Sequence, residues 1–190
     1  LSLRLFDMIF TLPGNHEAGY ICAMLFIIPG FPFITSGIDL AKLDMRSGLE
    51  RLAYAVIIVV AATITGWIMS SILGVHPANF AELSIPPMLH LLFRLAASFV
   101  GVFGFSIMFN SPPAIASAAA VIGAVANTFR LELVDLAGCP SAVAAFLGAL
   151  TAGLLASFLM KRLGYPRISV TVPSIVIMVP GLYLFRAVYN

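Results

Sequence analysis

Charge is sparse along this chain, and the gaps between charged residues set its architecture. Runs without Asp, Glu, Lys or Arg cover 18–38, 52–81, 95–129, 136–160 and 168–185. The hydrocarbon core of a bilayer takes about 20 residues of apolar helix to cross. The 95–129 run is too long for one crossing, and Asn110-Ser111-Pro112-Pro113 divides it in two, because proline opens a helix more readily than it continues one. The pattern predicts an all-α, polytopic membrane protein of about six transmembrane helices. Their spans fall near 18–38, 52–74, 88–109, 113–131, 139–160 and 168–188, within one transmembrane domain over 1–190.

Two of these spans are interrupted. Pro29-Gly30 follows the apolar run Leu25-Phe26-Ile27-Ile28, and Pro180-Gly181 follows Ile177-Met178-Val179. Proline cannot donate to the carbonyl four residues back, so Pro29 frees that of Leu25 and Pro180 that of Val176. Hydrocarbon cannot satisfy such a group, so the break belongs against protein or a water-filled cavity. Interrupted helices in corresponding halves of a chain mark the substrate site of many transporters. Glycine beside each proline lets a substrate approach the backbone.

Composition agrees with the spans. The chain is 61% hydrophobic and 9% charged, against about 25% charged in soluble domains. A net charge of +2 offers nothing to nucleic acid, and Cys22 and Cys139 are too far apart in sequence to suggest a disulfide or metal framework. The chain starts at Leu1, and Arg4 and Asp7 interrupt its first residues. Segment 1–17 is therefore expected to be interfacial or the tail of an earlier helix, neither cleaved leader nor full span, and the sequence to be a piece of a larger transporter.

Candidate chemistry is thin outside the breaks. His16-Glu17 lacks the second histidine of a metalloprotease helix, since Tyr20 stands at that place. No catalytic serine, cysteine or histidine pairing is evident. We therefore expect no enzyme, no metal and no cofactor. The mixed charges of 39–51 are expected to form an aqueous loop. Asp39, the acid nearest a break, is the candidate for proton coupling. Arg94 is expected to snorkel to the interface, and Asn110 to cap the following helix. Ala116, Ala120 and Ala124, and Gly123 with Asn127, recur at four-residue steps as packing faces. Gly101, Gly104, Gly148 and Gly153 are expected to admit neighbouring helices in the same way. Asn127 and Arg130 share a side, and Arg130, near the end of its span, either snorkels to the interface or is a carboxylate partner. Ser174 lies in the last span before the second break.

Loop charge orients the chain. Lys42, Arg46 and Arg51 lie between the first two spans, and Lys161, Arg162 and Arg167 between the last two. Excess Lys and Arg mark cytoplasmic loops, so 39–51 and 161–167 are expected in the cytoplasm. With six spans the two broken helices then run antiparallel, as in an inverted repeat.

These residues resemble the threonine/serine exporter family. The first half carries Pro29-Gly30, then Asp39, Asp44, Ser47, Gly48 and Arg51 at the family's spacing, with Leu43 where the family has glycine. The second half carries Gly104-Phe105, Phe109-Asn110-x-Pro112, Gly123, Asn127, Arg130, Pro166, Pro180-Gly181 and Arg186. The resemblance implies proton-coupled export of small polar metabolites through the inner membrane. Threonine and serine are the expected substrates. A dicarboxylate such as succinate, handled by a two-subunit branch, is the alternative, and a non-transporting structural subunit is a third. Partners would be the substrate, protons and lipid, with a second membrane subunit or a second copy of the chain compatible with the small-residue faces.

Overall fold

The computed structural model describes residues 29–73, 86–163 and 165–178. These are helical, in the order α1 Gly30–Ala41, α2 Met45–Leu73, α3 Pro87–Met108, α4 Pro113–Asp135, α5 Ser141–Leu163 and α6 Ile168–Val176. The segment expected at the interface, His16, Glu17, Cys22, Pro180, Gly181 and Arg186 lie outside the described residues. Helices α2, α3, α4 and α5 are long and apolar enough to cross a membrane. Helices α1 and α6 have 12 and 9 residues, so at 1.5 Å per residue they reach about half of a bilayer core. Pro29, at φ −78° and ψ 71°, is not helical, and α1 begins immediately after it. Helix α6 closes at Val176, with a turn at 177–178.

The chain divides into two compact units, of which the first contains α1 and α2. The aqueous loop expected over 39–51 shrinks to Lys42-Leu43-Asp44, and α2 starts at Met45 rather than 52. Local hydrogen bonds explain the difference. The Leu43 amide donates to Leu40 O and that of Asp44 to Asp39 O, both at 3.0 Å, a Schellman closure. The residue at its left-handed position is Leu43, with φ 63°. Asp44 Oδ1 then accepts from the Ser47 amide at 3.3 Å, which caps α2. A Cβ at Gly48 would come within 2.7 Å of the Leu40 side chain, so the two helices meet closely there. Arg51 Nη1 lies 2.8 Å from Asp39 Oδ2 and ties α2 back to α1. The family-like residues of this half thus build a tight hairpin.

The second unit contains α3 to α6, and α4 packs against each of the other three. Of α4's apolar stretch, 56% is covered by protein, against 17% in α3 and 22% in α5. Its alanines account for this: Ala116, Ala119, Ala120 and Ala126 are fully buried. Helix α5 seats against α4 at Gly148, where a Cβ would lie 3.0 Å from Arg130 Cβ and 3.2 Å from Ala126 O. Gly101, Gly104 and Gly153 meet no described neighbour within 4 Å, which corrects the expectation that they admit one. Large side chains such as Val100, Phe146 and Phe158 point outward, as lipid-facing positions do. Asn110 does not cap α4. It has φ 58° and follows the end of α3, its amide donating to Ile107 O at 2.9 Å and that of Ser111 to Ser106 O at 3.0 Å. This is a second Schellman closure, and asparagine tolerates the left-handed position.

Candidate functional site: a polar seam on α4

Helices α3 and α4 form a hairpin, so residues four apart on α3 meet successive turns of α4 in reverse order. Ser98, Val102 and Ser106 are buried on that stripe of α3, which Arg94 extends by one turn. At its first level, Arg94 Nη1 donates to Glu132 Oε1 at 2.8 Å, and Arg94 Nη2 pairs with Asp135 Oδ2. Next, Asn127 Nδ2 donates to Ser98 Oγ at 2.9 Å. Val102 then faces Gly123, where a Cβ would lie 2.7 Å from Val102 Cγ2 and 3.0 Å from Ser174 O. Only glycine lets α3, α4 and α6 converge here. The Ser174 hydroxyl is fully buried, 2.9 Å from Ala119 O and 2.7 Å from Val170 O, and donates towards these carbonyls.

Hydroxyls in a helix usually donate to a carbonyl of the preceding turn. Thr35, Thr63, Thr65, Ser71, Thr151 and Thr171 all do so. Ser106 Oγ and Thr128 Oγ1 do not: both are buried without a partner among the described residues, and so is Asn127 Oδ1. In apolar surroundings each unmet polar atom costs about 1–3 kcal/mol. Polar atoms left unmet inside a membrane segment are where a polar ligand gains most by binding.

Arg130, three residues beyond Asn127 on α4, turns towards α5 and the end of α6. Its Nη1 donates to Met178 O at 3.2 Å, just past the end of α6, where exposed carbonyls and the helix dipole favour a cation.

The sequence-predicted residues therefore separate. Asn127, Arg130 and Ser174 fall in the second unit, on α4 and α6. Pro29, Gly30 and Asp39 fall in the first unit. Asn110 is exposed at the α3–α4 turn. Asp39 faces Arg51 at hydrogen-bond distance but without hydrogen-bond angle. Arg94 does not snorkel. Its side chain is 16% exposed and bridges two acids, because Glu132 and Asp135 stand three apart on the α4 face turned to α3. Sequence reasoning missed Ser98, Ser106, Thr128, Glu132 and Asp135. The available signal was Arg94, Ser98 and Ser106 recurring on one stripe of an otherwise apolar helix.

Comparison with known proteins now adds to this geometry. The family described as "Threonine/Serine exporter, ThrE" matches residues 94–190, and a second threonine/serine exporter family matches residues 2–73. A curated protein of Haemophilus influenzae, described as uncharacterized, is 28% identical over 134 residues. That match covers 65% of this chain, which spans 44% of the relative's length. No solved structure matches. The helices that can cross a membrane make this a membrane protein, and the matched families are families of exporters. With α4, Arg130 and α6 inside the first match and the α1–α2 hairpin inside the second, the chain belongs to the threonine/serine exporter family.

Proposed function

We propose that this chain is the membrane part of a secondary transporter that exports threonine and serine in exchange for protons. It lies in the inner membrane with 39–51 and 161–167 facing the cytoplasm. The observation that carries the reading is the buried, unpartnered set Asn127 Oδ1, Thr128 Oγ1 and Ser106 Oγ within membrane-crossing helices. A hydroxy amino acid brings a carboxylate, an ammonium and a hydroxyl. Arg130 offers a guanidinium to the carboxylate, Asn127 Oδ1 accepts from the ammonium, and Thr128 matches the hydroxyl. Ser106 lies eight residues beyond Ser98 on α3, about 12 Å further along the seam, as a path requires. Half-length α1 and α6, each adjoining a Pro-Gly pair in sequence, fit the broken helices of such transporters.

Arg94 already holds two carboxylates, so on this seam it is not the partner of a substrate carboxylate. The test is efflux of labelled threonine, serine and succinate from liposomes containing the full-length protein, under an imposed proton gradient. Threonine and serine efflux that Asn127→Leu abolishes is the expected result. Flux of succinate alone would move the chain to the dicarboxylate branch, and no flux of any solute would leave a structural subunit.

A further inference from the structure

The Arg94–Glu132–Asp135 group adjoins the residues assigned to the substrate, one turn beyond Thr128 on α4. Both acids share one guanidinium, so the group holds one more negative than positive charge. It lies at the ends of two helices apolar enough to cross a membrane, in the last turn of α4 and the second turn of α3, where charge is unfavourable to the extent that it is enclosed. Glu132 is the more enclosed acid, its side chain 25% exposed against 49% for Asp135. Thr128 Oγ1, buried and unpartnered, stands one turn before Glu132 on the same face of α4.

We propose that Glu132 carries the proton exchanged for substrate, an inference that rests on the antiport reading above. A proton arriving on the Glu132 carboxylate leaves Arg94 and Asp135 as a one-to-one pair and removes the excess negative charge. The Arg94–Glu132 ion pair is lost. The neutral carboxyl becomes a donor, with Thr128 Oγ1 as its acceptor. Arg94 is one turn from Ser98, so loosening this contact acts on the same α3–α4 seam that holds Asn127. Proton and substrate are thereby linked through one helix contact.

Other titratable groups are few among the described residues packed here. Helix α5 has no Asp, Glu, Lys, Arg or His over 141–159, and α6 has none over 168–176. His90, one turn before Arg94, is exposed. Arg130 turns to Met178 O, and Cys139 lies in the turn after α4. Asp39, the acid nearest a break in sequence, is matched one-to-one by Arg51.

The experiment compares proton-driven threonine efflux with threonine–threonine exchange at equal pH in the reconstituted full-length protein. Glu132→Gln imitates the protonated state and leaves Arg94 and Asp135 balanced, so it is compatible with insertion. It is expected to lower driven efflux roughly tenfold or more, to keep exchange, and to flatten the pH profile of exchange. Asp135→Asn retains Glu132 and is expected to stay gradient-sensitive, and it serves as the test if Glu132→Gln fails to insert. Equal loss of efflux and exchange in Glu132→Gln overturns the proposal, as does a gradient-insensitive Asp135→Asn. Full driven efflux in Glu132→Gln with its loss in Asp39→Asn assigns the proton to Asp39 instead. Wild-type flux of threonine that ignores the gradient also overturns it, whereas absence of all wild-type flux sinks the transport reading itself.

Discussion

Each unit contains a helical hairpin closed by the same backbone device and braced by an arginine, yet the two differ in charge balance. In the first, Arg51 meets Asp39 one-to-one, and the Arg51 side chain is 52% exposed. In the second, Arg94 is 16% exposed and meets two acids. A balanced pair whose guanidinium reaches water contributes little beyond local rigidity. In an unbalanced, partly enclosed group, removing one member changes the state of the rest. The same side chains thus make a brace in one hairpin and a charge-sensitive contact in the other.

The sharpest way to break this comparison is to remove each arginine. Arg94→Ala strands two carboxylates and is expected to cost about 2–4 kcal/mol, the upper values being for fully buried groups. Arg51→Ala is expected to cost about 1 kcal/mol or less. Apparent melting temperatures in detergent would show the contrast, and equal shifts would erase it.

The close-packed glycines separate the hairpins next. A Cβ at Gly123 meets Val102 Cγ2 and the Ser174 backbone, so Gly123→Ala forces α6 to move, at about 1–3 kcal/mol. A Cβ at Gly48 meets mainly the Leu40 side chain, which can turn aside. Gly48→Ala is expected to stay within about 1 kcal/mol, because alanine also favours the helix. Thermal melts and threonine efflux should fall together for Gly123→Ala alone.

The smallest effects concern the turns. Leu43 has φ 63° and Asn110 φ 58°, and this conformation disfavours a side chain branching like leucine's far more than asparagine's. Leu43→Gly is expected to gain about 0.5–1 kcal/mol, after glycine's own entropy is counted. Asn110→Gly should change stability by only a few tenths of a kcal/mol. A gain at Asn110 exceeding that at Leu43 would contradict the strain assigned to Leu43.

Much of the architecture was legible in the one-dimensional pattern. Long charge-free runs demand helices in lipid, because no other open backbone arrangement satisfies its own hydrogen bonds there, and the helices long enough to cross fall in those runs. Pro29 marked the start of α1 because a proline amide cannot donate, a purely local property. The Asp39–Arg51 spacing looked like loop chemistry, because charged residues resemble solvated loop until hydrogen bonds extend the helices around them. Asn110 looked like a start signal and proved to be an end, since the same residue serves either role according to backbone sign.

What the sequence determined by itself, then, is everything that depends on a residue and its near neighbours: helix, break, membrane affinity and the residues that carry the family likeness. Tertiary structure decided which polar atoms are satisfied. Nothing local distinguishes Thr128 from Thr151, yet one is buried without a partner and the other donates to its own helix. Nothing local joins Arg94 to Glu132, 38 residues later. A charge or a lone pair is defined by what surrounds it, and packing across α3, α4 and α6 supplies those surroundings.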